Sequence, residues 1–296
     1  MIYLRKMSVT AYRTKPCFEQ NIISGGMMEY TTILYEKTGH VGIVRLNRPE
    51  RMNAVIEKMY LELQDVLAAA ERDGEVRVLV LTGTVLVKDG KERQAFCAGA
   101  DLKEHSAGTR DHRQKRLYIE LAHETTRMIY ECEKPVIAAV NGAARGAGAE
   151  MALNCDFVLM ADTATIAFPE TGLGTFVGGG VTSHLPALVG LMKAKELVYT
   201  GKVLNGPEAV SYGLALGSFP VETLMDEALK YAEAIAGKAP VSMAYAKKRL
   251  QSSYMHDLKT VLMHETDAIL SCMDTEDWHE GIRAFGEKRK PEYRGQ

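Results

Sequence analysis

Residues 141–180 read NGAARGAGAEMALNCDFVLMADTATIAFPETGLGTFVGGG, and residues 96–103 read Phe96-Cys97-Ala98-Gly99-Ala100-Asp101-Leu102-Lys103. Both stretches set small residues where a backbone N–H has to approach a ligand closely. The longer one opens a short helix from Gly146 to Asn154 between two apolar runs, Pro135 to Val140 and Asp156 to Met160. Continuous apolar runs of this length are strands covered on both faces, and a helix between two of them marks a mixed α/β part of the chain. The same stretch holds two carboxylates, Glu150 and Glu170, among apolar neighbours. Amide donors for a developing oxyanion, together with acid/base groups, are the parts required for proton chemistry next to a carbonyl.

Working outward, the alternation of strand and helix continues. Val41 to Leu46 and Arg77 to Thr82 are strands. Asn53 is placed to cap a helix that runs to about Asp73, with Ile56, Met59, Tyr60, Leu63, Leu67 and Ala70 on one face. The polar stretch Thr84 to Gln94 reads as a surface loop. A helix is expected from about Asp111 to Glu131, with Leu117, Leu121, Met128 and Ile129 inward. After Gly190 the strands fade. Helical patterns cover Leu191 to Thr200, Pro207 to Tyr212, Glu222 to Ala236, Pro240 to Ser252, Asp257 to Leu270 and Thr275 to Lys288. The expected organisation is an extension over 1–27, an α/β core with the active site over 28–205, and a helical region over 206–296.

The 296 residues are 46% hydrophobic and 25% charged with a formal net charge of −2, which is a globular composition without a nucleic-acid footprint. No apolar run is long enough to span a membrane. Five cysteines (Cys17, Cys97, Cys132, Cys155 and Cys272) lack metal or redox spacing, as expected for reduced thiols in the cytoplasm. Cys97 has no adjacent histidine and reads as a buried, unreactive thiol. The first 26 residues carry Arg5, Lys6, Arg13 and Lys15 before the first acid, Glu19. They read as an upstream extension before a start at Met27 or Met28, or as a mitochondrial presequence.

In the first motif the glycine permits a sharp turn, and Ala98 and Ala100 leave the Ala100 N–H open. In Arg145-Gly146-Ala147-Gly148-Ala149 the Ala147 N–H lies uncovered at a helix start, where unpaired donors and the dipole favour negative charge. Read alone, either cluster is equally well a tight structural turn. A carboxylate in apolar surroundings has a raised pKa. Glu150 and Glu170 sharing a water would divide general base from general acid. On residue type alone, a solvated helix charge at Glu150 and a loop charge at Glu170 are the better reading.

The order of motifs resolves these alternatives. Asn47-Arg48-Pro49 with Met52-Asn53-Ala54, the 96–102 stretch, Gly146 to Asp156, Phe168 to Gly174, Thr200-Gly201-Lys202, and Glu280-Gly281 with Ala284-Phe285 and Glu287-Lys288-Arg289 stand in one register. In this the chain resembles the crotonase superfamily, the enoyl-CoA hydratase/isomerase family, over about Tyr30 to Gln296. The resemblance implies a spiral of repeated ββα units followed by helices that pack a homotrimer or a dimer of trimers. It implies an acyl-CoA thioester as substrate, with CoA arriving as part of it and no separate cofactor or metal. By position, Ala100 and Ala147 supply the oxyanion-hole N–H groups. Glu150 corresponds to the base on water and Glu170 to the proton donor to the α-carbon. Ala98 and Ala100 to Lys103, which includes Asp101 and Leu102, would line the thioester and pantetheine path. Arg51, Met52 and Ala54 would cradle the adenine. Phe285 and Lys288 would touch CoA, often from a neighbouring subunit, and a lysine there suits a phosphate. The implied reaction is hydration of an enoyl-CoA; double-bond isomerisation, acyl-CoA cleavage and a non-catalytic RNA-binding role are the alternatives. Two departures stand out: Ala147 and Val181 replace glycines common in the family, and the 84–94 segment is longer than usual. Val181 and His184 are expected in a loop that shapes the acyl pocket, with His184 structural.

Overall fold

The computed structural model describes residues 30–103, 110–252, 266–267 and 269–296. The proposed extension and most of the expected helix from Asp257 to Leu270 lie outside the described residues. The chain opens with an antiparallel pair, β1 (Ile33–Thr38) and β2 (Val41–Leu46), followed by α1 (Glu57–Arg72). Next come β3 (Val78–Gly83), a hairpin of β4 (Leu86–Lys88) and β5 (Lys91–Arg93), β6 (Ala95–Cys97) and α2 (His112–Glu131). A third turn contains β7 (Val136–Val140), β8 (Ala143–Arg145) and α3 (Ala147–Leu153). A fourth contains β9 (Phe157–Ala161), β10 (Thr165–Ala167) and a 3₁₀ turn over Glu170–Leu173. Then follow α4 (Val181–Val189), α5 (Leu191–Thr200), β11 (Leu204–Asn205), α6 (Gly206–Tyr212), β12 (Gly217–Phe219), α7 (Leu224–Ala236), α8 (Pro240–Ser252) and α9 (Glu276–Glu287).

The strand orders reveal the winding. One sheet runs β1-β2-β3-β7-β9-β12 and the other β11-β10-β8-β6. After the antiparallel β1–β2 pair and α1, each of the next three turns adds one strand to the larger sheet and one to the smaller, closing on α2, α3 and the 3₁₀ turn in order. This is the expected spiral of ββα units. The pairs β2–β3, β3–β7 and β7–β9 are parallel, as are β6–β8 and β8–β10. Parallel strands covered on both faces are nearly continuous apolar runs. Accordingly every residue of β3 and β7 is buried. The inward face of α1 (Met59, Tyr60, Leu63, Val66, Leu67 and Ala70) packs into the same core.

Three local expectations are corrected. Helix α1 begins at Glu57 rather than at Asn53. Asn53 instead sits fully buried with φ +54, its side-chain amide donating to the Thr84 and Ala95 carbonyls and its oxygen accepting from the Arg48 N–H. An asparagine satisfies buried backbone as readily as a helix start. The 84–94 segment is a hairpin closed by Asp89 and Gly90, both in the left-handed region, the geometry of a type I′ turn. Val181 and His184 lie on α4, behind an N-cap at Gly180, rather than in a loop.

Candidate active site

The spiral itself assembles the site. The segment carrying Ala100 leaves the C-terminal end of β6, the one carrying Ala147 and Glu150 leaves β8, and Glu170 follows β10. These three strands are parallel neighbours, and adjacent strands lie about 4.8 Å apart. Three successive turns therefore deliver their chemistry to one edge of the smaller sheet. The carboxyl end of parallel strands is the usual place for a ligand in α/β proteins.

The Ala100 donor is aimed by its neighbours. Val55 N–H donates to the Gly99 carbonyl (2.8 Å) and Asp101 N–H to the Val55 carbonyl (2.9 Å), which makes a single parallel bridge between Val55 and Ala100. In such a bridge residue 100 points its own N–H the other way, and that N–H has no acceptor among the described residues. The Ala147 N–H is the first donor of α3 and is likewise unpaired there. Gly99, at φ +96, lets the two segments meet: a Cβ on it would lie 2.8 Å from the Arg145 carbonyl oxygen and 3.8 Å from the Ala147 nitrogen.

Glu150 and Glu170 are 8% and 7% exposed. Glu150 Oε1 accepts the Gly178 N–H at 2.7 Å, whereas neither oxygen of Glu170 has a hydrogen-bond partner among the described residues. Burial raises the pKa of both. The Gly178 N–H partly offsets this for Glu150. For Glu170 its own backbone N–H offsets part, and the charge on Glu150 adds to the rise. The two carboxylates therefore sense one another. Glu170 also reaches the second oxyanion segment, since a Cβ on Gly146, next to Ala147, would lie 3.1 Å from Glu170 Oε1. Burial pushes the Cys97 thiol up to about 12, so it is protonated near neutrality and has no nucleophilic part.

The residues expected along the CoA path divide. Met52, in the left-handed region, accepts the Ala98 N–H on its carbonyl (3.0 Å), so the 51–54 turn lies against the 98–101 segment. Asp101 does not offer its carboxylate outward. Arg48 Nη2 holds one oxygen at 3.1 Å and the Lys103 N–H holds the other at 3.2 Å, while Arg48 Nη1 grips the Ala54 carbonyl at 2.5 Å. Arg51, Leu102 and Lys103 are exposed. Phe285 lies in α9 and Lys288 just beyond it, at φ +54 and exposed. No contact among the described residues links Lys288 to the four groups above. A cavity of about 790 Å³, lined by Glu71, Tyr130, Lys134, Tyr245 and Arg294 among others, includes none of the four.

Reading the residues singly missed Gly178, the donor to Glu150, and Asn154. The Asn154 amide donates to the Glu150 carbonyl (2.8 Å) and the Gly179 carbonyl (2.6 Å), which stitches α3 to the 177–180 segment. The run of three glycines at 178–180 was the available signal, because Cβ atoms at 178 and 179 would crowd Glu150. Arg48 was visible only as part of a turn motif.

Winding and site together define a crotonase-fold protein. The family model described as enoyl-CoA hydratase/isomerase matches residues 36–296, and the chain belongs to that family. It is 36% identical over 269 residues to the crotonyl-CoA hydratase of Syntrophomonas wolfei, covering 90% of this chain and 99% of that protein. It is 35% identical over 265 residues to the short-chain-enoyl-CoA hydratase of Clostridium acetobutylicum, covering 90% and 98%. The crystal structure of an enoyl-CoA hydratase from Bacillus anthracis superposes with a TM-score of 0.84 at 37% identity, covering 90% of this chain and all of that one. Among the described residues no helix is long and apolar enough to cross a membrane.

Proposed function

We propose that this protein is an enoyl-CoA hydratase that adds water reversibly and syn across the 2,3-double bond of an enoyl-CoA. One observation carries the reading: two buried carboxylates in electrostatic contact stand at the same sheet edge as two unpaired N–H donors. The Ala100 and Ala147 amides bind the thioester oxygen and hold it as the enolate forms; each such donor supplies about 3 kcal/mol of transition-state stabilisation. Glu150 takes a proton from water as it attacks C3, and Glu170 delivers a proton to C2. CoA enters as part of the substrate past Arg51, Met52, Ala54, Ala98, Leu102 and Lys103, with Phe285 and Lys288 supplied by a neighbouring copy. Exposed apolar side chains such as Leu173, Phe176, Met192 and Tyr199 support a homotrimer or a dimer of trimers. The free thiols Cys97, Cys132, Cys155 and Cys272 suit a reducing compartment, the cytoplasm.

The test is the loss of crotonyl-CoA absorbance with identification of the 3-hydroxyacyl product. Glu150→Gln and Glu170→Gln should each lower kcat by about 10²–10⁴. Full turnover in either would sink the two-carboxylate mechanism. A double-bond shift needs a single carboxylate, so a protein that isomerises a 3-enoyl-CoA while leaving crotonyl-CoA untouched would be an isomerase. Salt-dependent RNA binding without turnover would indicate the non-catalytic alternative.

A further inference from the structure

The 178–180 segment is held from two sides. From the site side, the Gly178 N–H meets Glu150 Oε1 at 2.7 Å and Asn154 fixes the Gly179 carbonyl at 2.6 Å. The second hold is the imidazole of His184, one turn into α4. Its Cε1 and Nδ1 lie 3.0 and 3.2 Å from where a Cβ on Gly180 would sit. That ring stacks on Tyr130 of α2, with centroids 4.3 Å apart and planes at 18°. Tyr130 is itself tied to α8, since its carbonyl accepts from the Gln251 amide (2.8 Å) and its hydroxyl donates to the Gln251 carbonyl (3.4 Å). His184 Nδ1 is buried without a hydrogen-bond partner among the described residues. Burial lowers its pKa and so favours the neutral ring. A polar nitrogen buried at a cost, in a ring spent on stacking, calls for a reason other than hydrogen bonding.

We infer that His184, stacked on Tyr130, is a positioning residue that holds the Gly178–Gly180 segment where its first N–H grips the Glu150 carboxylate. The chain of contact is short: Tyr130, His184, Gly180, then the Gly178 amide. The ring's part is geometric, so a flat apolar ring should replace it. This deepens the hydratase reading, because Glu150 is the group whose protonation the segment controls. The other titratable groups around Glu150 are Glu170 after β10, Cys97 at the end of β6, Tyr60 on α1, and His123 on α2, whose Nε2 lies 2.9 Å from where a Gly178 Cβ would sit.

Three variants test it: His184→Ala, His184→Phe and Tyr130→Leu. Crotonyl-CoA kinetics across pH are read beside a carboxyl-carbon NMR titration of Glu150. In His184→Ala, kcat should fall about tenfold or more with KM changed less than about twofold, since the lost interaction acts on the reacting group and not on CoA. The Gly178 N–H stabilises the Glu150 anion, so loosening it raises the Glu150 pKa and moves the acid limb of kcat/KM to higher pH. His184→Phe should restore most of kcat and return the limb. Unchanged kcat and limb in a folded His184→Ala overturns the inference. So does a defect that phenylalanine fails to repair, since that would give the ring nitrogen the role. Where His184→Ala does not fold, Tyr130→Leu removes the stack from the other side and is read the same way. If the parent protein hydrates no enoyl-CoA, the functional reading fails by itself, and the NMR titration still decides whether the ring pair sets the Glu150 pKa.

Discussion

Replacing Glu170 with glutamine probes the site through stability as well as turnover. Both carboxylate oxygens are buried and unpaired, and burial followed by the Glu150 charge raises the pKa against a partial offset from the backbone. A carboxyl whose folded pKa lies above its unfolded value binds its proton more tightly in the folded state. Its contribution to stability is therefore present in acid and lost as pH rises from the unfolded pKa through the folded one. Glutamine keeps the shape and has no charge to desolvate. At pH 8 Glu170→Gln should be more stable than the parent by about 1–3 kcal/mol, because an unpaired buried anion costs more than the unpaired neutral amide that replaces it. For a chain of this size each kcal/mol corresponds to roughly 2–4 °C in Tm. Paired thermal melts of parent and variant at pH 8 and near pH 4 supply the assay. The gain should shrink toward zero in acid, where the parent carboxyl is already neutral. A variant less stable than the parent at pH 8, or one whose advantage grows in acid, would show that Glu170 has a stabilising partner and would refute the reasoning.

Two ion pairs should separate catalysis from stability. Arg48→Met removes the strap that joins Asp101 to the Ala54 carbonyl; kcat with crotonyl-CoA should fall about 10–100-fold as the Ala100 N–H loses its aim, with a loss of about 1.5–3 kcal/mol in chemical denaturation. Lys247, 6% exposed, bonds Asp156 at 2.8 Å and the Lys134 carbonyl at 3.2 Å. Lys247→Met should cost about 3–5 kcal/mol in the same denaturation experiment because it leaves the half-buried Asp156 carboxylate with the Val136 N–H (2.7 Å) but no cation, while turnover per folded molecule stays within about twofold.

The larger sheet was legible because its central strands are nearly continuous apolar runs: Val136–Val140 and Phe157–Ala161 have no polar residue, and Val78–Gly83 has one, Thr82, whose hydroxyl donates to the Ala139 carbonyl. The smaller sheet was not. Ala143–Arg145 and Thr165–Ala167 are three residues each, too short to show a period, and Thr165 finds its partner Ala143 more than twenty residues earlier. The hairpin at 86–93 did carry a signal, Asp89-Gly90, which the surrounding charges masked. Helix α4 was hidden by the glycines before it and by Pro186 within it. At the site, the identities of Glu150, Glu170, Ala100 and Ala147 came from register with a family. Their convergence was not written in any one segment, because it depends on which strand each segment leaves. The partners that orient them, Gly178, Asn154 and Arg48, act through backbone or across long separations, and such contacts have no local pattern.

The unequal surroundings of the two carboxylates supply a reason for dividing the work. Like charges at close quarters resist ionising together, so the first to ionise is the one whose anion is better solvated by the protein. Glu150 has the Gly178 N–H at 2.7 Å, while Glu170 has no hydrogen-bond partner among the described residues and faces the field of Glu150. In the proposed mechanism Glu150, the better-solvated anion, is therefore the carboxylate suited to accept from water, and Glu170 the one suited to carry a proton. That is the pairing hydration needs at the start of the reaction, an anion beside the nucleophile and an acid beside C2. In the proposed reaction, water addition returns the opposite arrangement, Glu150 protonated and Glu170 charged, and so leaves the proton on the group whose anion is better stabilised. Relaxing to the starting state is then favourable, so the same asymmetry that selects the base also resets the site. A protein in which both carboxylates were equally solvated would lose this preference, and that is why the single amide of Gly178 matters more to the chemistry than its one hydrogen bond would suggest.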